Sequence, residues 1–388
     1  MEPFARIALG RDAPAELPNL LMAIGLEPLL KTSRHMADLL VEFGAEAETA
    51  EIGKPMVRIA LSEADENAAA ADFASARLSA VATFIFTYAL HLTSPFLTAD
   101  EATFDQLRTA LTLARGPGRM VVEGETGVGK QALMRAVLAG THDRIARIDC
   151  ASYDEAGADG EFASAIRVLA SNNEVISSTA AQGGILFLNR ADELSLPAQR
   201  RLLNEIHAAP MIRPRIRYLA TATRSLDELT VRGRFVAELH NLFEVALPIA
   251  PLRERPADIT MLAWYFLRKA NPAMVFDNAA LKTLSEYSFP GNVRELQNLI
   301  TRLAIVPLAS DGVIGRPDIL GQLAAVGASR WRSAQFMASR SRPRPLTIAP
   351  GDIVSDTPPS RSRTKPSIRP AVDAIRRPPK PPNVPRPS

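Results

Sequence analysis

The apolar positions of this chain change rhythm along its length, and each rhythm predicts a different kind of structure. Over residues 1–97 they recur mainly at helical spacing. Leu17–Leu30 and Met36–Phe43 read as amphipathic or buried helices, and the acidic stretch from Ala45 to Glu66 is mixed. Val57–Leu61 alternates weakly and reads as a short strand. The apolar run Leu78–Leu92 is interrupted by Ser79, Thr83, Thr87, Tyr88 and His91. It is short for a membrane span and reads as a buried helix. These features predict a mostly helical N-terminal domain over 1–97 whose role the residues do not disclose. An acidic strand-end cluster with a later strand-end lysine, the set a phosphoacceptor site needs, is not recognisable there. Thr98-Ala99-Asp100-Glu101 carries a helix-start signature and opens the next unit.

From 98 to 249 strands and helices alternate. Met120–Val122, Ile145–Ile148, Gly184–Leu188 and Arg217–Thr221 are the expected strands. That order predicts an α/β subdomain, a parallel sheet covered by helices on both faces, with its ligand at the carboxyl ends of the strands. Residues 250–328 read as a helical lid, with helices at Ile259–Ala270, Asn278–Tyr287, Asn292–Ile305 and Pro317–Ala324. Beyond 329 the pattern dissolves: thirteen of the last 48 residues are proline, and aromatics stop at Phe336. Such a segment cannot bury enough apolar surface to order itself, so 329–388 is expected to be a disordered tail.

Charge sharpens this division. The chain carries a net +3, but residues 341–388 contribute +7, so the rest is acidic overall. The tail's Arg-Pro repeats lack interleaved aromatics and offer salt-dependent attraction to nucleic acid at most. A solvated or partner-docking tail is the favoured reading. One cysteine, Cys150, excludes an internal disulfide framework and fits a reducing compartment. Met1–Phe4 does not open a secretory signal, and the expected location is cytoplasmic, away from the membrane.

The chemistry is concentrated where the first strand of the α/β unit ends. Gly124, Glu125, Thr126, Gly127, Val128, Gly129, Lys130 and Gln131 form a GxxxxGK loop between a strand and a helix. Small residues let the loop wrap phosphates with its N–H groups inward. The helix that follows offers its positive end, and Lys130 a point charge for the β- and γ-phosphates. A second candidate is Arg294 in Pro290-Gly291-Asn292-Val293-Arg294-Glu295. Asn292 can cap the helix and Glu295 is placed for a capping box. A cation in a helix's first turn opposes the helix dipole, so Arg294 needs another employment.

Five segments, in order, resemble the AAA+ sigma-54 interaction domain of bacterial enhancer-binding transcription regulators. They are Gly124–Lys130, Asp149-Cys150-Ala151 (an N-C-A segment in the family), Gly183–Leu188, Pro251-Leu252-Arg253-Glu254-Arg255 with Asp258-Ile259, and Phe289–Leu296. The resemblance implies an AAA+ fold with a helical lid and ATP or ADP as ligand. It also implies that Arg294 reaches the terminal phosphate.

The chain departs from the family where hydrolysis is performed. The family's strand ends in Asp-Glu, the Walker B acids; here it ends Leu188-Asn189-Arg190. Phosphoryl transfer needs Mg²⁺ held by an aspartate and a residue that orients water. Asn189 offers Mg²⁺ only a neutral carbonyl, and Arg190 cannot accept a proton. Shifting the acids to Asp192-Glu193 would put Asn189 and Arg190 inside an apolar strand. The family's sensor asparagine falls on Thr223, and its trans-acting arginines on Val236 and Leu242, with Arg232 and Arg234 upstream at the wrong spacing. The sigma-contacting G-A-F-T-G-A loop, expected between Cys150 and Gly183, is missing, and no sequence-specific DNA-binding motif follows the lid. The expectation is a nucleotide-binding regulatory protein, a degenerate ATPase without confident catalytic or metal-ligating residues. It would act by contact with an AAA+ activator or other transcription machinery, as a homo- or hetero-oligomer. The competing reading is a slow ATPase that activates transcription itself.

Overall fold

The computed structural model describes residues 3–10, 13–29, 36–43, 56–59, 78–93, 95–141, 144–152, 158–170, 184–208, 216–305 and 312–325. Residues 1–333 form one compact unit. The expected disordered tail lies outside the described residues, as does most of the stretch where the G-A-F-T-G-A loop was sought.

The N-terminal region corrects the helical expectation. It contains β1 (Ala5–Leu9), α1 (Leu17–Ala23), β2 (Leu26–Leu29), β3 (Leu39–Phe43), β4 (Met56–Ile59) and α2 (Leu78–Ala89). The four strands form a parallel sheet in the order β2-β1-β3-β4, the start of a doubly wound arrangement. Two predicted helices, or parts of them, are therefore strands. All five side chains of β3 are buried, Glu42 included, and a strand covered on both faces reads as an unbroken apolar run with no period to tell it from a helix. Gly25, at φ +84°, ends α1 and starts β2, which carries Pro28 and accordingly lies at the sheet edge. The strand expected near Val57 is β4.

The next unit runs α3 (Glu101–Arg115), β5 (Met120–Glu123), α4 (Lys130–Ala139), β6 (Ile145–Asp149), α5 (Ala158–Ala170), β7 (Ile185–Asn189), α6 (Leu196–Ala208), β8 (Arg217–Ala222), α7 (Leu226–Val231), α8 (Ala237–His240) and β9 (Val245–Pro248). Asp100 caps α3 by accepting from the Thr103 amide at 2.9 Å. The sheet is parallel in the order β6-β7-β8-β5-β9. The four expected strands are present, and β9, which the sequence reading missed, closes one edge. β5 lies inside the sheet, between β8 and β9, and places the glycine loop at the sheet's carboxyl edge.

The lid comprises α9 (Pro256–Ala270), β10 (Val275–Phe276), α10 (Asn278–Glu286), α11 (Asn292–Leu303), β11 (Val313–Ile314) and a helix over 316–325. It is helical as expected, with one small parallel pair, β10 and β11, added.

The expected boundary at residue 97 does not separate two cores. One apolar cluster runs from Ile7 and Val41 through Val81 and Phe86 of α2 and Leu107 of α3 to Met120, Val122 and Leu133. Arg115 fastens the same seam. Its guanidinium donates to the Gly25 carbonyl at 3.0 Å and lies 3.7 Å over the Phe4 ring. No described helix is long and apolar enough to cross a membrane.

Candidate functional site

A cavity of about 690 Å³ opens where the glycine loop, the ends of β7 and β8, and the lid meet. Its lining combines apolar residues, Phe96, Leu97, Leu262, Tyr265 and Phe266, with charged ones. Of the residues singled out from sequence, Thr126–Gln131, Asn189, Arg190, Thr223 and Arg294 line it, whereas Gly124 and Glu125 do not.

The loop is shaped by its glycines. Gly127, at φ +86°, could not take a side chain, because a Cβ there would fall 2.4 Å from the Gly291 carbonyl oxygen of the lid. Lys130 folds onto its own loop and donates to the carbonyls of Gly124 (2.5 Å) and Glu125 (2.9 Å). Burial lowers its pKa to about 8; Arg294 pushes the same way, while Asp192 and Glu125 oppose. Arg294 stands exposed on the first turn of α11, its Cβ region 3.4 Å from where a Gly127 side chain would begin.

Glu125 has a structural task instead. Its carboxylate accepts from Arg253 through both guanidinium nitrogens (3.0 and 2.8 Å) and from the Asn292 amide at 3.1 Å. These bonds hold its pKa below the usual carboxylate range. Asn292 does not cap its helix as expected. Its side chain, wholly buried at φ +53°, donates also to the Thr126 carbonyl and accepts from the Leu252 amide at 2.8 Å. Glu295 does reach back, accepting from the Gly291 amide at 2.7 Å. Arg255 completes the clamp: it donates to the Val128 carbonyl (3.1 Å) and to Asp258 (2.8 Å), which also takes bonds from Thr98, Ala99 and Asp100. The lid signature thus fastens the phosphate loop to both the lid and the start of α3.

The strand ends carry the decisive chemistry. Asn189 is the last residue of β7, which settles the register against Asp192-Glu193 as the strand-end pair. Its Oδ1 accepts from the Thr221 hydroxyl (2.9 Å) and from Gln131 (3.4 Å), and its Nδ2 donates to Asp149 (3.3 Å). Arg190, in the left-handed region at φ +60°, donates to the same Asp149 oxygen through Nε (3.2 Å) and Nη2 (2.7 Å). Asp149 ends β6 directly beside Asn189. Burial works against the charge of Asp149, but Arg190 more than offsets it and the carboxyl stays below its usual range. Asp192 is buried and occupied: it accepts from the Thr223 amide (2.9 Å) and hydroxyl (2.5 Å) and pairs with Arg224 at 3.3 Å.

The residues present do not fit a divalent cation. P-loop NTPases hold Mg²⁺ with a hydroxyl after the lysine and a strand-end aspartate. Those positions are Gln131 and Asn189, two neutral amides bonded to each other. Among the described residues no group of three or more His, Cys, Asp or Glu is arranged to hold a metal. Among the described residues the one carboxylate lining the cavity, Glu193, lies 3.7 Å from Arg190.

Sequence reasoning missed Asp149 as the counter-charge of Arg190. The signal was an acid where the resembling family has asparagine, readable only once β6 and β7 are known to be neighbours.

A P-loop sequence at the end of an inner strand of a five-stranded parallel sheet, followed by a helical lid, defines an AAA+ fold. Residues 96–247 match the sigma-54 interaction domain and residues 253–333 the AAA+ ATPase lid domain. The anaerobic nitric oxide reductase transcription regulator NorR of Serratia proteamaculans is 32% identical over 235 residues, which are 54% of this chain and 45% of that one. NorR of Aeromonas hydrophila is 32% identical over 213 residues, 50% of this chain and 42% of its own. The chain therefore spans about half the length of the curated relatives it matches. Among solved structures, NtrX from Brucella abortus in complex with ATP superposes with a TM-score of 0.47 at 17% identity, over 81% of this chain and 86% of that one.

Proposed function

We propose that this protein binds ATP or ADP in the cavity around Lys130 and acts in sigma-54-dependent transcription control by protein contact, without turning the nucleotide over. The observation that carries this reading is the state of the carboxylates. The strand that supplies the Walker B acids ends in Asn189 and Arg190, and the nearby acids are committed elsewhere: Asp149 to Arg190, Asp192 to Thr223 and Arg224. Lost water-orienting and metal-holding groups of this kind lower rates by several powers of ten, equivalent to roughly 3–6 kcal/mol of barrier. The loop, Lys130, Arg294 and the lid clamp remain, which suits a protein whose nucleotide sets shape. The proposed partner is an AAA+ activator or another component of the transcription machinery, met in a homo- or hetero-oligomer.

The competing reading, a slow ATPase, needs Arg232 or Arg234 to act in trans and Asp192 or Glu193 to replace the lost acids; Asp192 is buried and paired, whereas Glu193 lines the cavity. Steady-state phosphate release by the purified chain, alone and mixed with a competent activator, separates the two. We expect nucleotide binding that is lost in Lys130→Ala and negligible turnover. Release faster than about 0.1 s⁻¹ that disappears in Lys130→Ala overturns the proposal.

A further inference from the structure

We infer that the cavity takes its nucleoside di- or triphosphate as the metal-free anion, with the Arg190 guanidinium standing where a divalent cation would otherwise balance the phosphate charge. This inference rests on the nucleotide-binding reading and concerns the form in which the ligand is bound.

Three observations point the same way. First, the donor set for a metal is spent. Asn189 Oδ1 already receives two hydrogen bonds, from Thr221 and Gln131, and Gln131 is the residue that follows the loop lysine. Neither amide brings a negative charge, and a hard dication with no anionic protein ligand relies on water and phosphate alone.

Second, the cavity is already cationic. Lys130, Arg135, Arg190, Arg255, Lys269 and Arg294 line it against a single carboxylate, Glu193. Arg255 is paired with Asp258 and Arg190 with Asp149, which leaves four further cations against one acid among the described lining residues. A dication entering this field is repelled, whereas a metal-free polyphosphate carries more negative charge than its Mg²⁺ complex and is attracted more strongly.

Third, Arg190 is placed and partnered like a movable counter-ion. Its backbone is fixed, the amide donating to Thr221 Oγ1 at 3.0 Å and the carbonyl accepting from the Glu193 amide at 2.9 Å. Its guanidinium is about one-third exposed, lines the cavity, and among the described residues is held by Asp149 and Glu193, both partly open to solvent. Exchanging a half-exposed carboxylate for a phosphate oxygen costs little, and the planar fork suits phosphate as well as it suits Asp149. The Asp149–Arg190 pair thus keeps the charge in place while the cavity is empty and releases it when the ligand arrives.

The experiment is a calorimetric titration of the full chain with ADP and with ATP, in EDTA and in excess Mg²⁺, at one ionic strength. For the wild type the dissociation constant should differ less than about threefold between the two buffers. Arg190→Gln should weaken binding in EDTA by at least about tenfold, the loss expected for one charge-assisted contact to phosphate. The pair of substitutions N189D and R190E should make binding depend on Mg²⁺ by about tenfold or more. Thermal melts establish that each variant is folded, and the wild-type comparison decides the matter even where a variant is not. Mg²⁺ tightening wild-type binding more than about tenfold, or unchanged affinity in folded Arg190→Gln, overturns the metal-free inference but leaves nucleotide binding intact. No binding in either buffer overturns both.

Discussion

Nucleotide binding should take up protons, and the amount should rise with pH in a way that Lys130 sets. Burial has lowered this ammonium to a pKa of about 8, against an ordinary 10.5, with the loop carbonyls of Gly124 and Glu125 as its hydrogen-bond partners. In the free protein about one-tenth of Lys130 is then neutral at pH 7, about half at pH 8 and about nine-tenths at pH 9. Phosphate oxygens set against Nζ favour the charged form and return the pKa to well above 9. Binding should therefore absorb about 0.1, 0.5 and 0.9 protons at those three pH values, and affinity should fall about tenfold from pH 7 to pH 9, roughly 1.4 kcal/mol. The free protein gives a matching sign. Below pH 8 the lysine is charged in both folded and unfolded chains, and the cost of burying it is fully present. Between about 8 and 10.5 the folded form has released a proton that the unfolded chain keeps, so stability rises with pH, by up to about 3 kcal/mol. Titration calorimetry in buffers of different ionisation enthalpy measures the uptake directly. Uptake that stays constant from pH 7 to 9, or a stability profile that is the same in Lys130→Gln, would refute the argument.

Two further predictions concern the lid clamp. Asp258→Ala should destabilise the fold by about 3–5 kcal/mol in urea unfolding, because it leaves Arg255, 1% exposed, as an uncompensated buried charge. Asp258→Asn, which keeps the shape, should cost less. Gly127→Ala should lower both the melting temperature and nucleotide affinity, since the new methyl meets the Gly291 carbonyl and the backbone sits at φ +86°. Gly160→Ala, in α5 with open space around it, is the matched control and should be neutral or stabilising by up to about 1 kcal/mol.

What the sequence determined by itself is what local rules govern. A strand, three glycines and a lysine specify a phosphate loop because each needs only its neighbours' backbone geometry. That Asn189 ends a strand and Arg190 follows it was likewise plain, since the flanking apolar run fixes their place. The four main strands were legible as short apolar runs and the lid helices from helical apolar spacing.

Tertiary structure decided whatever depends on which elements lie side by side. The buried run Leu39–Phe43 has no period, so only its pairing with β1 and β4 makes it a strand, and with it an α/β N-terminal region. Glu125 and Asn292, read as a phosphate-loop residue and a helix cap, became two halves of one loop-to-lid contact across 167 positions of sequence. Asp149 and Arg190 lie 41 residues apart and meet only because β6 neighbours β7 in the sheet. A charge and its counter-charge on different strands leave no periodic trace in the chain. Their partnership is a property of strand order, which is why the acid that answers Arg190 emerged from the fold.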